Sequence, residues 1–228
     1  LSVKRVSKKP IIYWDILRTG FPSFCRQGLA SIATVSLNVA ASGFGDPAVA
    51  AMSIVGRIFL FILSVMIGLG QGFQPVVGYN YGAKKFDRVR AACRFTFLLG
   101  FALLAVSALA GFLFAPQIIS LFRKGDAEVI AIGSYACRAQ CLVLPLHALI
   151  VTSSMLFQVI GKSSQATIVS AARQGIFFLP LIAILPSLWG ITGVQLTQPI
   201  SDVFSCLLCI PFLVQFFRNL KENDTEMQ

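Results

Sequence analysis

The sequence predicts an all-α membrane protein with six transmembrane helices, on three observations. Apolar runs of about 20 residues or more, the length a bilayer span needs, recur along the chain between turn signals. Charged residues make up only 12% of the 228 residues, against about 25% in an ordinary soluble domain. Hydrophobic residues make up 56%, 20 of them Phe, and the mean hydropathy is +0.79. The positive residues gather in alternate loops, so the net charge of +10 reads as topology and attraction to anionic lipid, not as a nucleic-acid surface.

Residues 1–21 read as a basic leader followed by an interfacial elbow over residues 10–17, with Tyr13 and Trp14 at interface depth. Lys4, Arg5, Lys8 and Lys9 resemble the n-region of a signal peptide, but no short apolar core with a small-residue cleavage site follows. The chain starts at Leu1 and not at Met, so a start other than the native one is expected. The membrane lobe is expected over residues 22–217. Its first span covers 22–43, entered at Gly20 and Pro22, and residues 43–47 form a tight turn. The second span runs over 48–71 and on toward Gly78. The third covers 92–115 and ends at Pro116, and residues 117–127 are expected as a loop. The fourth, 129–160, is long enough to tilt or protrude. The fifth, 165–185, stops at Pro186. The sixth covers 190–217, and residues 218–228 form a polar tail.

Six spans put both ends on one side. That side holds Lys4, Arg5, Lys8, Lys9 and Arg18, then Lys84, Lys85, Arg88, Arg90 and Arg94, then Lys162, Arg218 and Lys221, thirteen in all. The opposite loops hold two, Arg123 and Lys124. Lys and Arg concentrate on the cytoplasmic side of membrane proteins, so both termini are expected in the cytoplasm.

A polar side chain facing lipid is costly, so polar stripes should face protein or water. In the first span Ser23, Gln27, Ser31, Thr34, Asn38 and Ser42 follow steps of three and four, one helix face. The second carries Arg57, Ser64, Gln71 and Gly78 at steps of seven, with Gln74 adjoining. The fourth carries Gln140, His147, Ser154 and Gln158, and the fifth Ser163, Thr167, Ser170 and Gln174, with Arg173 one step round. The sixth carries Gln195, Gln198, Asp202 and Ser205. The third has only Thr96 and Ser107, which makes it the most lipid-exposed helix, while the other five are expected to surround a polar interior. Gln27, Asn38, Gln71, Gln140, His147, Gln158, Arg173, Gln174, Gln195, Gln198 and Asp202 are the candidate cavity residues, and helix–helix contact is the competing reading. Asp202 in mid-span is a functional candidate by position, with Arg26, Arg138 or Arg173 as its partner. His147, the single histidine, is either a titrating group or a hydrogen-bonded packing residue.

Several chemistries are excluded. No phosphate-binding GxxxxGK[ST] occurs, so this chain does not hydrolyse ATP. One histidine cannot build a paired-histidine metal site, and no metal ligand set is expected. Cys25, Cys93, Cys137, Cys141, Cys206 and Cys209 read as small buried apolar residues without a disulfide framework. An enzyme is not expected.

Residues 71–90 are the most distinctive stretch. An apolar helix ends in glycines, a proline and aromatics, with Phe73, Tyr79 and Tyr81 expected at headgroup level, then opens into a cationic cluster. Gly78 and Gly82 are expected to allow the turn. Gln74, Gly78, Tyr79, Asn80, Tyr81, Gly82 and Ala83 resemble the loop signature of the MATE (multidrug and toxic compound extrusion) family, which follows the second helix of each six-helix lobe. Gly20 and Pro22, Gly161-Lys162, Pro180 and Gly190-Ile191-Thr192-Gly193-Val194 look like that family's C-terminal lobe. The echo between Arg26-Gln27-Gly28 and Arg173-Gln174-Gly175 looks like its bacterial multidrug-efflux branch.

The resemblance implies one lobe of a twelve-helix transporter in the plasma membrane. It implies an antiporter, coupled to H⁺ or Na⁺, that exports organic and often cationic compounds by alternating access. Its partners would be an organic small molecule, the lipid bilayer and an N-terminal six-helix lobe or equivalent chain. Some members place carboxylates in the first and fourth helices of this lobe, and here neither apolar core has one. No cofactor is implied, and the coupling ion would be bound by the other lobe. Phe177, Phe178 and Phe204 either line the substrate site or face lipid. The alternatives are a flippase of the wider superfamily for lipid-linked oligosaccharide, which would favour a more cationic cavity, and a non-transporting membrane fragment.

Overall fold

The computed structural model describes residues 10–225. Lys4, Arg5, Lys8 and Lys9 of the expected leader lie outside the described residues, as does the side chain of Lys221. Six helical rods correspond to the six expected spans. They are α1 (Pro10–Ser42), α2 (Asp46–Gly82), α3 (Phe86–Leu113) followed directly by α4 (Ala115–Phe122), the pair α5 (Ala127–Val143) and α6 (His147–Val159), the pair α7 (Ser163–Ala171) and α8 (Phe178–Trp189), and α9 (Ile191–Thr225). Five runs are long and apolar enough to cross a membrane: Asp46–Gly82, Phe86–Leu113, Ala127–Val159, Ser163–Trp189 and Ile191–Leu220. α1 is as long, at 33 residues, but is more polar and is not among those five.

Several boundaries differ from the sequence expectations, each for a local reason. The elbow and first span are one helix, with Pro22 buried inside α1. Continuing the helix keeps its backbone groups bonded where water is scarce. Residues 117–122 of the expected loop are helical, as part of α4, because Pro116 in a first turn suits a helix start and Ala115 and Ile119 bury on one face. Pro186 does not stop the fifth span. α8 runs to Trp189 and ends at Gly190, whose φ of 59° is a conformation glycine adopts freely. The expected tail is helical as far as Thr225.

The motif after the second span is also placed differently. Residues 71–82 belong to α2 itself, and the left-handed residue of the turn is Lys84, at φ 55°. Gly78 is helical, and a Cβ there would stand 2.8 Å from Val159 Cγ2. It is small so that α2 can approach the end of α6, not so that the chain can turn. Phe73 is buried, Tyr81 packs edge-on against Phe86, and Tyr79 is exposed.

The apolar interior divides into two clusters. One contains Met52, Phe59, Met66, Ile119, Val129, Leu144, Phe178 and Val194. The other contains Phe73, Val77, Val89, Phe157, Val169, Cys209 and Phe216. Along α9 the first ends at Val194 and the second begins at Cys206, which leaves a polar layer between them. Among the five membrane-capable runs α3 is the least enclosed, with 28% of its most apolar window buried against 33–56% for the others. It is not the most exposed helix as expected, because α1 buries only Pro22, Ala33 and Ala41 of its 33 residues. Cys93, Cys137, Cys141, Cys206 and Cys209 are buried, and all six cysteines are free.

α8 and α9 meet so closely that a Cβ on Gly193 would clash with the Leu185 carbonyl and lie 2.8 Å from Pro186 N. Gly193→Ala is therefore expected to destabilise the lobe by about 1–3 kcal/mol, the usual cost of overpacking. Thermal unfolding in detergent measures this, and an unchanged midpoint would show that the contact relaxes freely.

Candidate functional site

The polar layer is built around one carboxylate. Asp202 and His147 are both 0% exposed. Asp202 lies on α9, four residues after Gln198, so both project from one face, and Gln198 Nε2 donates to Asp202 Oδ1 at 2.9 Å. Gln140 on α5 donates from Nε2 to Oδ2 at 2.6 Å. Arg173 donates from Nε to Oδ1 at 2.8 Å. His147 Nε2 lies 3.3 Å from Oδ2, although neither ring nitrogen makes an aligned hydrogen bond.

Irregular backbone delivers two of these groups. Pro145 lies in a 3-10 turn, Leu144–Leu146, between α5 and α6, and His147 is the first residue beyond it. Arg173 sits in a π-helical turn, Ala172–Ile176, between α7 and α8. The extra residue in such a turn re-aims the side chains around it, and π turns are frequent at functional sites. Ser201 holds the turn by donating to the Arg173 carbonyl at 2.5 Å.

Gln140, His147, Arg173, Gln198 and Asp202 thus come together from α5, α6, α9 and the π turn. The other candidates do not join them. Gln195 donates to the Ile132 carbonyl at 2.9 Å. Gln158 ties the end of α6 to α1, donating to Ser23 Oγ at 2.9 Å and to the Thr19 carbonyl at 3.2 Å. Gln174 is half-buried, and its Oε1 has no partner among the described residues. Gln27 and Gln71 are exposed and Asn38 is half-buried. Of the motif residues, Gln74 is half-buried, and Asn80 donates from Nδ2 to the Val76 carbonyl of its own helix at 2.8 Å. Gly82 closes α2.

One expectation is corrected here. The polar groups at the centre bond to one another, but not every stripe joins them. The α1 stripe is not enclosed, since Gln27, Ser31, Thr34 and Ser42 are exposed. Of the three arginines offered as partners, Asp202 takes Arg173. Arg138 instead donates from Nε to the Phe112 carbonyl at 3.3 Å, and Arg26 is half-buried on α1. The sequence reading missed Ser201, which is adjacent to Asp202 and off its stripe. It also missed the Ser154–Ser170 hydroxyl pair at 2.6 Å as a link between α6 and α7.

Removing one member of a buried ion pair leaves the other charge stranded, at a typical cost of about 3–5 kcal/mol. Arg173→Met is expected to destabilise the lobe by about that much, and adding Asp202→Leu to recover most of the loss. A double-mutant cycle on detergent unfolding tests this, and additive losses would show that the two residues do not interact.

The MatE family profile matches residues 22–184. The multidrug export protein MepA of Staphylococcus saprophyticus is 25% identical over 219 residues, which cover 96% of this chain and 47% of MepA. MepA of Staphylococcus aureus is 25% identical over 225 residues, covering 99% of this chain and 49% of MepA. Among solved structures, a MATE protein in the bent conformation superposes with a TM-score of 0.87 at 24% identity, covering 99% of this chain and 50% of that one. A MATE transporter of Vibrio cholerae gives 0.82 at 21% identity, covering 89% and 46%. The chain spans about half the length of the curated relatives it matches. By the profile match over most of its residues, and with a fold that matches half of each solved structure, the chain belongs to the MatE family of multi-pass membrane transporters, which are not enzymes.

Proposed function

We propose that this chain is the C-terminal half of a cation-coupled antiporter that exports organic, often cationic, compounds across the plasma membrane by alternating access. The observation that carries the reading is the outward polar face of α1. Gln27, Ser31, Thr34 and Ser42 are exposed on a helix packed against α2 and α7. The Ser31, Thr34 and Ser42 hydroxyls donate to carbonyls of their own helix, so Gln27 is the group that is costly against lipid. The stripe suits a cleft between two lobes, where transporter sites commonly lie. The half-length matches to MepA, described as a multidrug export protein, support the same reading. A stacked, partly exposed aromatic pair, Phe177 and Phe204 with ring centroids 5.6 Å apart, gives an organic ligand an apolar contact. Phe178 is buried and takes no part in that contact.

Asp202 is the only buried carboxylate among the described residues. Amide and guanidinium N–H groups fill its hydrogen-bonding positions. Na⁺ needs oxygen ligands, so we assign the seat of the coupling ion, H⁺ or Na⁺, to the other lobe. Asp202 acts here as the charged pivot that holds Arg173. The flippase reading is weaker, because Arg173 and Arg138 are engaged by Asp202 and the Phe112 carbonyl.

Asp202→Asn in the two-lobe transporter is expected to lower coupled efflux severalfold while leaving membrane insertion intact. Unchanged efflux across the pH and Na⁺ ranges tested would remove Asp202 from the mechanism. For topology, a cytoplasm-active reporter fused after residue 220 should be active and one inserted at Gly125 silent. The opposite pattern would invert the orientation.

A further inference from the structure

We propose that the groove between the cytoplasmic ends of α3 and α9 is a seat for one anionic phospholipid. The groove, of about 580 Å³, is lined by Arg90, Ala91, Arg94, Phe97, Leu98 and Phe217. Its composition changes with depth. Arg90 and Arg94 are one helical turn apart on one face of α3, about 6 Å in rise. Phe97 and Leu98 continue that face inward, with Phe217 of α9 opposite. From Phe95 to Phe122 the chain has no charged residue, so Arg94 marks the depth at which hydrocarbon gives way to headgroups. Cations therefore stand at phosphate depth directly above an aromatic and aliphatic floor, the order of groups in a phospholipid.

The position favours lipid over a protein neighbour, because the exposed face of α3 is apolar, with Phe95, Leu98, Phe101, Val106 and Leu109 outward. The charge favours an anionic headgroup. Lys84, Lys85 and Arg88 crown the same end, and the one carboxylate among residues 84–94, Asp87, is paired with Arg90 at 3.2 Å. Arg94 is exposed and has no ion-pair partner among the described residues. A choline or ethanolamine cation would be repelled by this crown, whereas a headgroup with net negative charge is drawn to basic segments beside a membrane helix. The full transporter coupling scheme is not needed for this site, and only the assignment of the leaflet rests on the proposed orientation.

The test is native mass spectrometry of the full-length transporter in detergent. The protein is titrated separately with phosphatidylglycerol, with phosphatidylcholine of the same acyl chains, and with inorganic phosphate. A retained phosphatidylglycerol adduct is expected, outcompeting phosphatidylcholine and not displaced by inorganic phosphate. Arg94→Gln should weaken it about fivefold, the factor that about 1 kcal/mol per cation near an anionic surface gives. Phe217→Ala should weaken it too, and Arg123→Gln at the opposite end should not. Equal retention of the two lipids, or an Arg94→Gln variant that binds as the parent does, would overturn the proposal. Displacement by inorganic phosphate would reduce the groove to an anion site. Binding that appears only after deletion of residues 221–228 would make the acidic C-terminal sequence the occupant.

Discussion

One buried carboxylate dictates much of the rest of this lobe. A charge in an apolar interior is tolerable only when its partners are all in place. Asp202 draws those partners from several parts of the chain: Gln140 from α5, His147 from the start of α6, Arg173 from the π turn and Gln198 from its own helix. Each contact fixes the rotation of a helix about its axis as well as its position. The two apolar clusters lie on either side of this layer. Dispersion and lipid exclusion pack them, but neither specifies register as sharply as a hydrogen-bonded charge does.

The irregular backbone follows from the same requirement. A continuous α-helix through residues 143–147 would place His147 by strict periodicity, and Pro145 removes a backbone donor and allows the 3-10 turn that sets it. The π turn at Ala172–Ile176 does the equivalent for Arg173. Its carbonyl is taken by Ser201, and the Phe177 N–H donates to the Ala172 carbonyl at 3.0 Å. On the far side, Gly175 is tight against Leu29 of α1, where a Cβ would stand 2.9 Å from Leu29 Cδ1. The charge cluster is thus mechanically connected to the helix that carries the outward polar face.

The surface is as informative as the interior. α3 and α4 present Phe, Leu and Ala outward and suit lipid. α1 presents a stripe of amide and hydroxyl groups, Gln27, Ser31, Thr34 and Ser42, beside exposed Phe24, Ile32, Val35 and Val39. The fold accounts for about half of each related structure.

The sequence by itself determined the class, the number of rods and the cationic asymmetry of the loops. These depend on composition and on periods of three, four and seven that local geometry imposes. It also singled out Gln140, His147, Arg173, Gln198 and Asp202, because a polar residue in an apolar run has few places to go. Only the tertiary structure decided which polar stripes meet. Periodicity shows that Gln140 and Gln158 share a face, but not that the first reaches Asp202, 62 residues away, while the second reaches Ser23, 135 residues away. It cannot choose Arg173 over Arg26 or Arg138, since that choice depends on a π turn no spacing announces. Gly78 looked like a turn residue because glycine serves both turns and close approaches, and only the position of Val159 tells them apart.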